Sequence, residues 1–274
     1  MPANDQIKRF GKNFLKNRWG KALVILAVIV SASLVMSTLE QILRLVLDIP
    51  MQVPAAEGQG WVFNASLPSM IITAARILIG FLVTAPLSLG VVRWFWDVTA
   101  DIDAPVADVF RDYASADAFF KSIGFYLNMN IRMTLYAILF TFPGFIGALL
   151  AFPEVQDLIG VAFPVETVEL ITALAAVYLI LSIVFLIPVL ARYFFAAMIY
   201  ASENSTANEA IRKSILVSKG RKGRIVTFVF SFAGWALFCV FAIPYLYFYP
   251  YYVSSKAVFV HCALFEYNQG QKIE

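Results

Sequence analysis

A chain of 274 residues that is 61% hydrophobic and 14% charged falls well short of the roughly 25% charged residues usual in soluble domains. Its apolar residues gather into runs of the ~20 residues that a bilayer crossing requires, which excludes a soluble globular fold. A net charge of +3 gives no argument for nucleic acid, and the basic segments lack a folded reading module.

The chain opens with a basic stretch, residues 1–21, in which Ile7, Phe10, Phe14 and Leu15 recur at helical spacing among Lys8, Arg9, Lys12, Lys16, Arg18 and Lys21. This predicts an amphipathic helix lying on the inner leaflet and turning into the membrane at Trp19. The apolar run that follows is too long for a cleaved leader and lacks a small-x-small site, so it is expected to stay as a first span, about 22–47. Further spans are expected at about 68–96, 121–152 and 168–200. From Ile225 to Phe265 the single charge is Lys256, and this length suffices for two crossings. Pro244 and Pro250 stand there among Tyr245, Tyr247, Tyr249, Tyr251 and Tyr252. Prolines break helices and tyrosines favour the membrane boundary, so a turn is expected there between spans five (225–244) and six (246–266). A short C-terminal tail, 267–274, completes the chain.

Orientation follows from the cations. The connections after spans one and three carry no Lys or Arg. The one after span four carries Arg212, Lys213, Lys219, Arg221, Lys222 and Arg224. Cytoplasmic loops hold the excess of Lys and Arg, so six spans with both termini in the cytoplasm satisfy every loop together. Lys219, Arg221, Lys222 and Arg224 then read as an inner-leaflet anchor that fixes topology. Within that loop Thr206 and Glu209 have the spacing of a capping box. The helix after them would carry Ala207, Ala210, Ile211, Ser214, Ile215 and Ser218 on one side and stop at Gly220. The second-to-third connection holds Asp97, Asp101, Asp103, Asp108, Asp112 and Asp117. These acids could dock on the basic loop or stay solvated, and their spacing does not match an EF-hand.

An ionisable side chain in mid-span costs at least about 2.5–3.5 kcal/mol on insertion scales. Glu40 and Arg76 fall at matching depths on consecutive antiparallel spans, which predicts a structural ion pair with Arg44 nearer the surface. Arg132, Arg192 and Lys256 have few acids to match them. With Asn128 and Asn130 they are candidates to line a positive cavity for an anion, while snorkelling to the surface is the plainer alternative. Neither HExxH, GxSxG nor CxxC occurs, and Gly20-Lys21 is no P-loop. His261 reads as an interfacial residue, and Cys239 and Cys262 as small packing residues. No enzyme activity, cofactor or metal is expected.

Several stretches resemble a known family. "FLKNRWGKALVI" supplies Leu15, Lys16, Trp19, Gly20 and Ala22, and "APLSLGVVRWFWDV" closes span two. "ENSTANEAIRKSILVSKGRKGRIVTF" supplies Glu209, Ala210, Ile211, Ser214 and Gly220. "FAGWAL" and "PYYVSSKAVF" supply Gly234, Trp235, Ala236, Leu237, Pro250 and Tyr251. Together they resemble the DUF975 family of bacterial integral membrane proteins, to which no function is assigned. A further family stretch before the basic loop has only a partial echo in "IPVLARYFF", where Pro188 and Arg192 stand without the glycine.

The resemblance implies a bacterial cytoplasmic membrane location. The expected fold is thus all-α, a polytopic bundle of six transmembrane helices with short cytoplasmic amphipathic helices. The expected function is non-catalytic transport or handling of an anionic or amphipathic substrate, lipid included, through the positive cavity. The competing expectation is a membrane scaffold or accessory subunit that docks a protein partner through its cytoplasmic loops. Anionic headgroups of membrane lipids are the expected small partners, and nucleic acid is not expected.

Overall fold

A computed structural model describes residues 1–54, 61–203, 205–240 and 242–270. The end of the expected tail (271–274), position 241 of the expected fifth span and residues 55–60 of the first connection lie outside the described residues. In chain order the helices are α1 (Asn4–Leu15), α2 (Trp19–Val46), α3 (Leu67–Thr99), α4 (Ala116–Leu149), α5 (Pro153–Ile159), α6 (Val165–Leu190), α7 (Ala196–Ser202), α8 (Ala207–Ser218), α9 (Lys222–Phe230), α10 (Ala233–Phe238) and α11 (Ala242–Gly270). Two 3₁₀ segments, Val106–Tyr113 and Ala191–Tyr193, join them. A small antiparallel hairpin pairs β1 (Gln52–Pro54) with β2 (Trp61–Phe63), Val53 opposite Val62. The described residues are all-α apart from this hairpin.

Four helical stretches among the described residues are long and apolar enough to cross a membrane: Trp19–Val46, Leu67–Thr99, Ala116–Leu149 and Val165–Ser202. The last third of the chain departs from the expected pair of spans. The segment expected as the fifth span is divided into α9 and α10, each too short to cross. The turn expected between Pro244 and Pro250 is occupied by helix, since α11 runs from Ala242 to Gly270 with Pro250 inside it. Pro244 falls in the first turn of α11, where a missing N–H costs nothing. Pro250 alone breaks the ladder, a loss that long helices absorb when neighbours and side chains satisfy the freed backbone.

By its contacts the chain divides into two compact units. The first comprises Met1–Gly124 and Gly234–Glu266. Its core gathers where α1, the start of α2, the second half of α3, the 3₁₀ segment and α11 meet: Leu15, Ile25, Leu87, Val91, Trp94, Phe95, Val98, Val109 and Val253. Two close approaches set this packing. A Cβ on Gly90 would stand well inside contact distance of the Val109 carbonyl, so the 3₁₀ segment lies directly on α3. Trp94 Nε1 then donates to Ala104 O at 3.1 Å, and the Tyr113 hydroxyl donates to Val83 O. The second approach is α1 on α11. A Cβ on Gly11 would stand 2.7 Å from Ser255 Oγ, and Ser254 Oγ donates to Gly11 O at 2.9 Å. The apolar edge of α1 is therefore Ile7, Gly11 and Leu15, buried against protein, while Phe10 is exposed. The expected apolar face of Ile7, Phe10, Phe14 and Leu15 is split between protein and surroundings.

The second unit comprises Phe125–Ala233 and the chain from Tyr267. Here α4 and α6 approach through glycines: a Cβ on Gly144 would stand 2.8 Å from Tyr178 and Leu179 side-chain atoms, and one on Gly147 3.1 Å from Ala175. Helix α8 packs on α7 and on the 191–193 segment, where Ser214 Oγ donates to Arg192 O at 2.6 Å. Its ends match the sequence pattern. Thr206 N donates to Glu209 Oε2 at 2.8 Å and Glu209 N to Thr206 Oγ1 at 3.4 Å, and Gly220 takes a left-handed φ of 78° beyond the last turn. Aromatic rings fill the interior, with Phe125 stacked on Tyr200 at 4.3 Å and Phe228 edge-on to Phe232 at 5.3 Å.

Substituting Gly90→Ala puts a methyl group into the Val109 carbonyl, and overpacking of this kind costs about 1–3 kcal/mol. The variant is expected to unfold several degrees earlier in detergent, whereas Gly80→Ala, with nothing within 4 Å, is expected to match or exceed the parent. Thermal melts followed by circular dichroism check both.

Candidate functional site

Charged side chains near the apolar runs fall into three groups. The first, in the first unit, centres on the Glu40 carboxylate. Arg44 lies one helical turn further along α2 and donates Nε to Glu40 Oε1 at 2.9 Å. Its other nitrogens reach α3: Nη1 donates to Ser69 Oγ at 2.9 Å and Nη2 to Thr73 Oγ1 at 2.7 Å. Arg76 Nε stands 2.7 Å from Glu40 Oε2, as an ion pair rather than a directed hydrogen bond. The structure thus brings Glu40 and Arg76 together. It also gives Arg44 a place that depth alone did not suggest: Arg44 is buried, 6% exposed, and shares the same carboxylate. Two hydroxyls on α3, Ser69 and Thr73, were the signal. They stand four apart and face α2, and a guanidinium has five donors to place.

The second group ties the segment after α3 back onto its own unit. Arg18 Nη2 donates to Asp101 Oδ1 at 3.0 Å, and Lys21 Nζ to Asp103 Oδ1 at 2.6 Å. Arg93 Nη1 donates to the buried Asp112 at 3.0 Å, and Lys121 pairs with Asp117 one turn away. The hydrogen bond from Lys21 holds the Asp103 carboxyl below its ordinary range, and the nearby ammonium and guanidinium add to this. Of the aspartates expected either to dock on the basic loop or to stay solvated, Asp101, Asp103, Asp112 and Asp117 pair with cations of the first unit, and all of these but Asp112 stay largely exposed.

The third group lies in the second unit, around Arg132. Its Nε donates to Asn128 Oδ1 at 2.8 Å, and its Nη2 to Asn208 Oδ1 at 2.9 Å. Asn128 Nδ2 donates to the same Asn208 oxygen at 3.0 Å. Asn208 is the second residue of α8, a polar, capped helix in the cation-rich connection. Helix α4 has 34 residues, about 50 Å at 1.5 Å per residue, far more than a ~30 Å hydrocarbon core. Its uncharged stretch begins at Met133. Arg132 therefore sits at the polar end of that stretch, shallower than an assignment to mid-span implies. Tyr193 lies within electrostatic reach of Tyr136, Arg132 and Arg192. Unlike Arg18, Arg44, Arg76 and Arg93, which meet carboxylates, Arg132 is oriented by neutral amide oxygens. Among the described residues no carboxylate pairs with Arg132 or Arg192.

The remaining sequence candidates fall as follows. Asn130 is exposed on α4, away from the Arg132 hydrogen bonds. Arg192 lies in the 3₁₀ segment after α6. Lys256 is on α11 in the first unit, between the buried Ser255 and Ala257. Lys219 is exposed at the end of α8, Arg221 Nη1 donates to Val217 O at 3.0 Å, and Lys222 and Arg224 open α9. His261 stacks on Trp96 with centroids 3.6 Å apart. Asn208 was not singled out from sequence; its place inside the capping box, between Thr206 and Glu209, was its one visible signal.

The family model described as "Protein of unknown function (DUF975)" matches residues 1–262, nearly the whole chain. No curated protein and no solved structure matches.

Removing the Glu40 carboxylate strands the buried Arg44, so Glu40→Ala is expected to cost about 3–5 kcal/mol. Arg76→Ala leaves Glu40 paired with Arg44 and is expected to cost less than Glu40→Ala; chemical unfolding in detergent separates the two. The α8 cap carries a pH signature. Hydrogen bonds from the Thr206 backbone and hydroxyl hold Glu209 below its ordinary 4.5. A depressed carboxyl stabilises the folded form above its unfolded value and loses that effect as pH falls through the lowered one. Amide exchange at residues 207–210 is expected to stay slow through the usual glutamate range and rise only below it, and Glu209→Gln should abolish that step.

Proposed function

The chain belongs to the DUF975 family, and on that premise we propose a non-catalytic membrane protein that handles an anionic or amphipathic substrate at the cytoplasmic boundary. The reading includes six crossings with both ends inside, α11 being one and α9 with α10 together another. The observation that supports it is Arg132. Two amide oxygens fix its guanidinium in place and leave its charge uncompensated. An arginine with a structural role is served as well by a carboxylate, as Arg44 and Arg93 are. One held by amides keeps its Nη1 and its full charge for an incoming phosphate or carboxylate. Arg192 adds a second positive charge, and Tyr136 and Tyr193 supply amphipathic rings suited to headgroup depth. Lys256, in the other unit, is not needed for this reading. The scaffold alternative draws less support, because Asp101, Asp103 and Asp112 are already paired within the chain.

A charge-assisted hydrogen bond contributes about 1.5–3 kcal/mol, so Arg132→Gln is expected to weaken binding of a short-chain phosphatidylglycerol about tenfold or more. Native mass spectrometry of the detergent-extracted protein measures this, with Arg76→Gln as the control that keeps full binding. Equal retention by the Arg132 variant overturns the reading, and a co-purifying protein released by charge reversal at Lys219 to Arg224 favours the scaffold.

A further inference from the structure

A polar cleft of about 410 Å³ opens in the first unit where α1 ends and α2 begins. The segment after α3 forms its opposite wall. Its charged lining is two cations, Arg18 and Lys21, and two anions, Asp101 and Asp103, so its formal charge is zero. The remaining lining is Asn13 and Phe14 at the end of α1 and Asn17 in the turn that follows it.

The existing ion pairs leave much of this lining unused. Asp101 and Asp103 each engage their cations through Oδ1. Among the described residues their Oδ2 atoms have no partner. Lys21 donates one of its three N–H groups, to Asp103. The Asn13 and Asn17 side-chain amides make no hydrogen bond among the described residues. Asp101 is held at a left-handed φ of 62°, a conformation that Asp tolerates better than most residues.

Depth narrows the ligand class. The cleft adjoins Trp19, which stacks on Tyr247 with centroids 5.1 Å apart and planes 12° apart. The uncharged run of α2 starts at Ala22. Paired aromatics at the edge of an apolar run mark the headgroup layer. A ligand of one sign meets repulsion as well as attraction in a cleft of zero net charge. A ligand carrying both signs can pair with both.

We propose that this cleft seats a zwitterionic phosphoethanolamine-type group, its ammonium on Asp101 and Asp103, its phosphate on Lys21 and Arg18, with the Asn13 and Asn17 amides bonding its remaining oxygens. This chemistry is shared by a lipid headgroup and by the free head group in solution. The site is independent of the Arg132 reading and rests only on the depth assigned to the start of α2.

The test titrates delipidated full-length protein, in a detergent without phosphate, with three probes: dihexanoyl-phosphatidylethanolamine, O-phosphoethanolamine and dihexanoyl-phosphatidylglycerol. Calorimetry reads affinity. The expected result is binding of at least one ethanolamine probe, at least tenfold weakened by the double substitution Asn13→Leu, Asn17→Leu. That variant leaves every ion pair in place and is expected to melt with the parent. Lys21→Gln is expected to weaken the same probe similarly. Binding of the lipid alone assigns a membrane lipid, and equal binding of O-phosphoethanolamine assigns a soluble source. Neither ethanolamine probe binding, or binding that the asparagine variant leaves unchanged, overturns the proposal. Phosphatidylglycerol binding that is lost in Arg132→Gln but not in the asparagine variant reports on the other site alone.

Discussion

A guanidinium or ammonium at the edge of an apolar slab must find acceptors, and the acceptors it finds decide what it can do. In this protein that constraint organises both units. Glu40 accepts from Arg44 and stands against Arg76, so one carboxylate faces a cation from each of α2 and α3. Ser69 and Thr73 take the remaining Arg44 donors, which locks the register of the two helices. The same logic at the other end of α2 draws the segment after α3 onto Arg18 and Lys21. Arg132 departs from it, oriented without being neutralised.

Packing follows the same division between water and lipid. In α3 the buried residues concentrate from Ala85 to Thr99, while much of the earlier stretch is exposed. Lipid is as apolar as leucine, so helices inside it gain little by covering one another. At the watery end the hydrophobic effect operates again, and there Trp94, Phe95 and Val98 are buried with Leu15 and Val109. Close contact at this end needs positions without side chains. Gly90 admits the Val109 carbonyl and Gly11 admits Ser255. The wall of the polar cleft formed by Asp101 and Asp103 leads directly into the 3₁₀ segment that Gly90 admits.

Local patterns in the sequence carried a good deal of this. The cap at Thr206 and Glu209 and the stop at Gly220 are set by residues within one turn of each other, so they were legible. The Glu40 and Arg76 pair was legible because two consecutive helices share one depth scale. Arg44 and Asn208 were not, since a residue's partner across helices is fixed by rotation about the helix axis, which spacing leaves free. The prolines of α11 misled for a related reason. Pro244 breaks a helix only in an interior turn, and where α11 begins depends on contacts distant in sequence. Gly11 has no side chain to mark a face, and its burial shows only in the contact with α11, where the Ser254 hydroxyl donates to its carbonyl. The length of α4 hid the position of Arg132, because hydropathy marks where charge stops and not where the helix stops.

Position then separates two kinds of mechanism for a protein of this shape. A cation at mid-span must be held by protein or water at all times, and it suits passage of a charge through the slab. A cation at the polar end of its apolar stretch is already near water and needs no such enclosure. Arg132, bound to Asn208 of the polar helix α8, is on the proposed reading of the second kind. On the proposed reading its task is recognition at headgroup depth, and movement of a substrate across the bilayer would need a separate path. A fixed charge at a boundary draws anions in proportion to how little of it is already paired, and two neutral amides leave it whole.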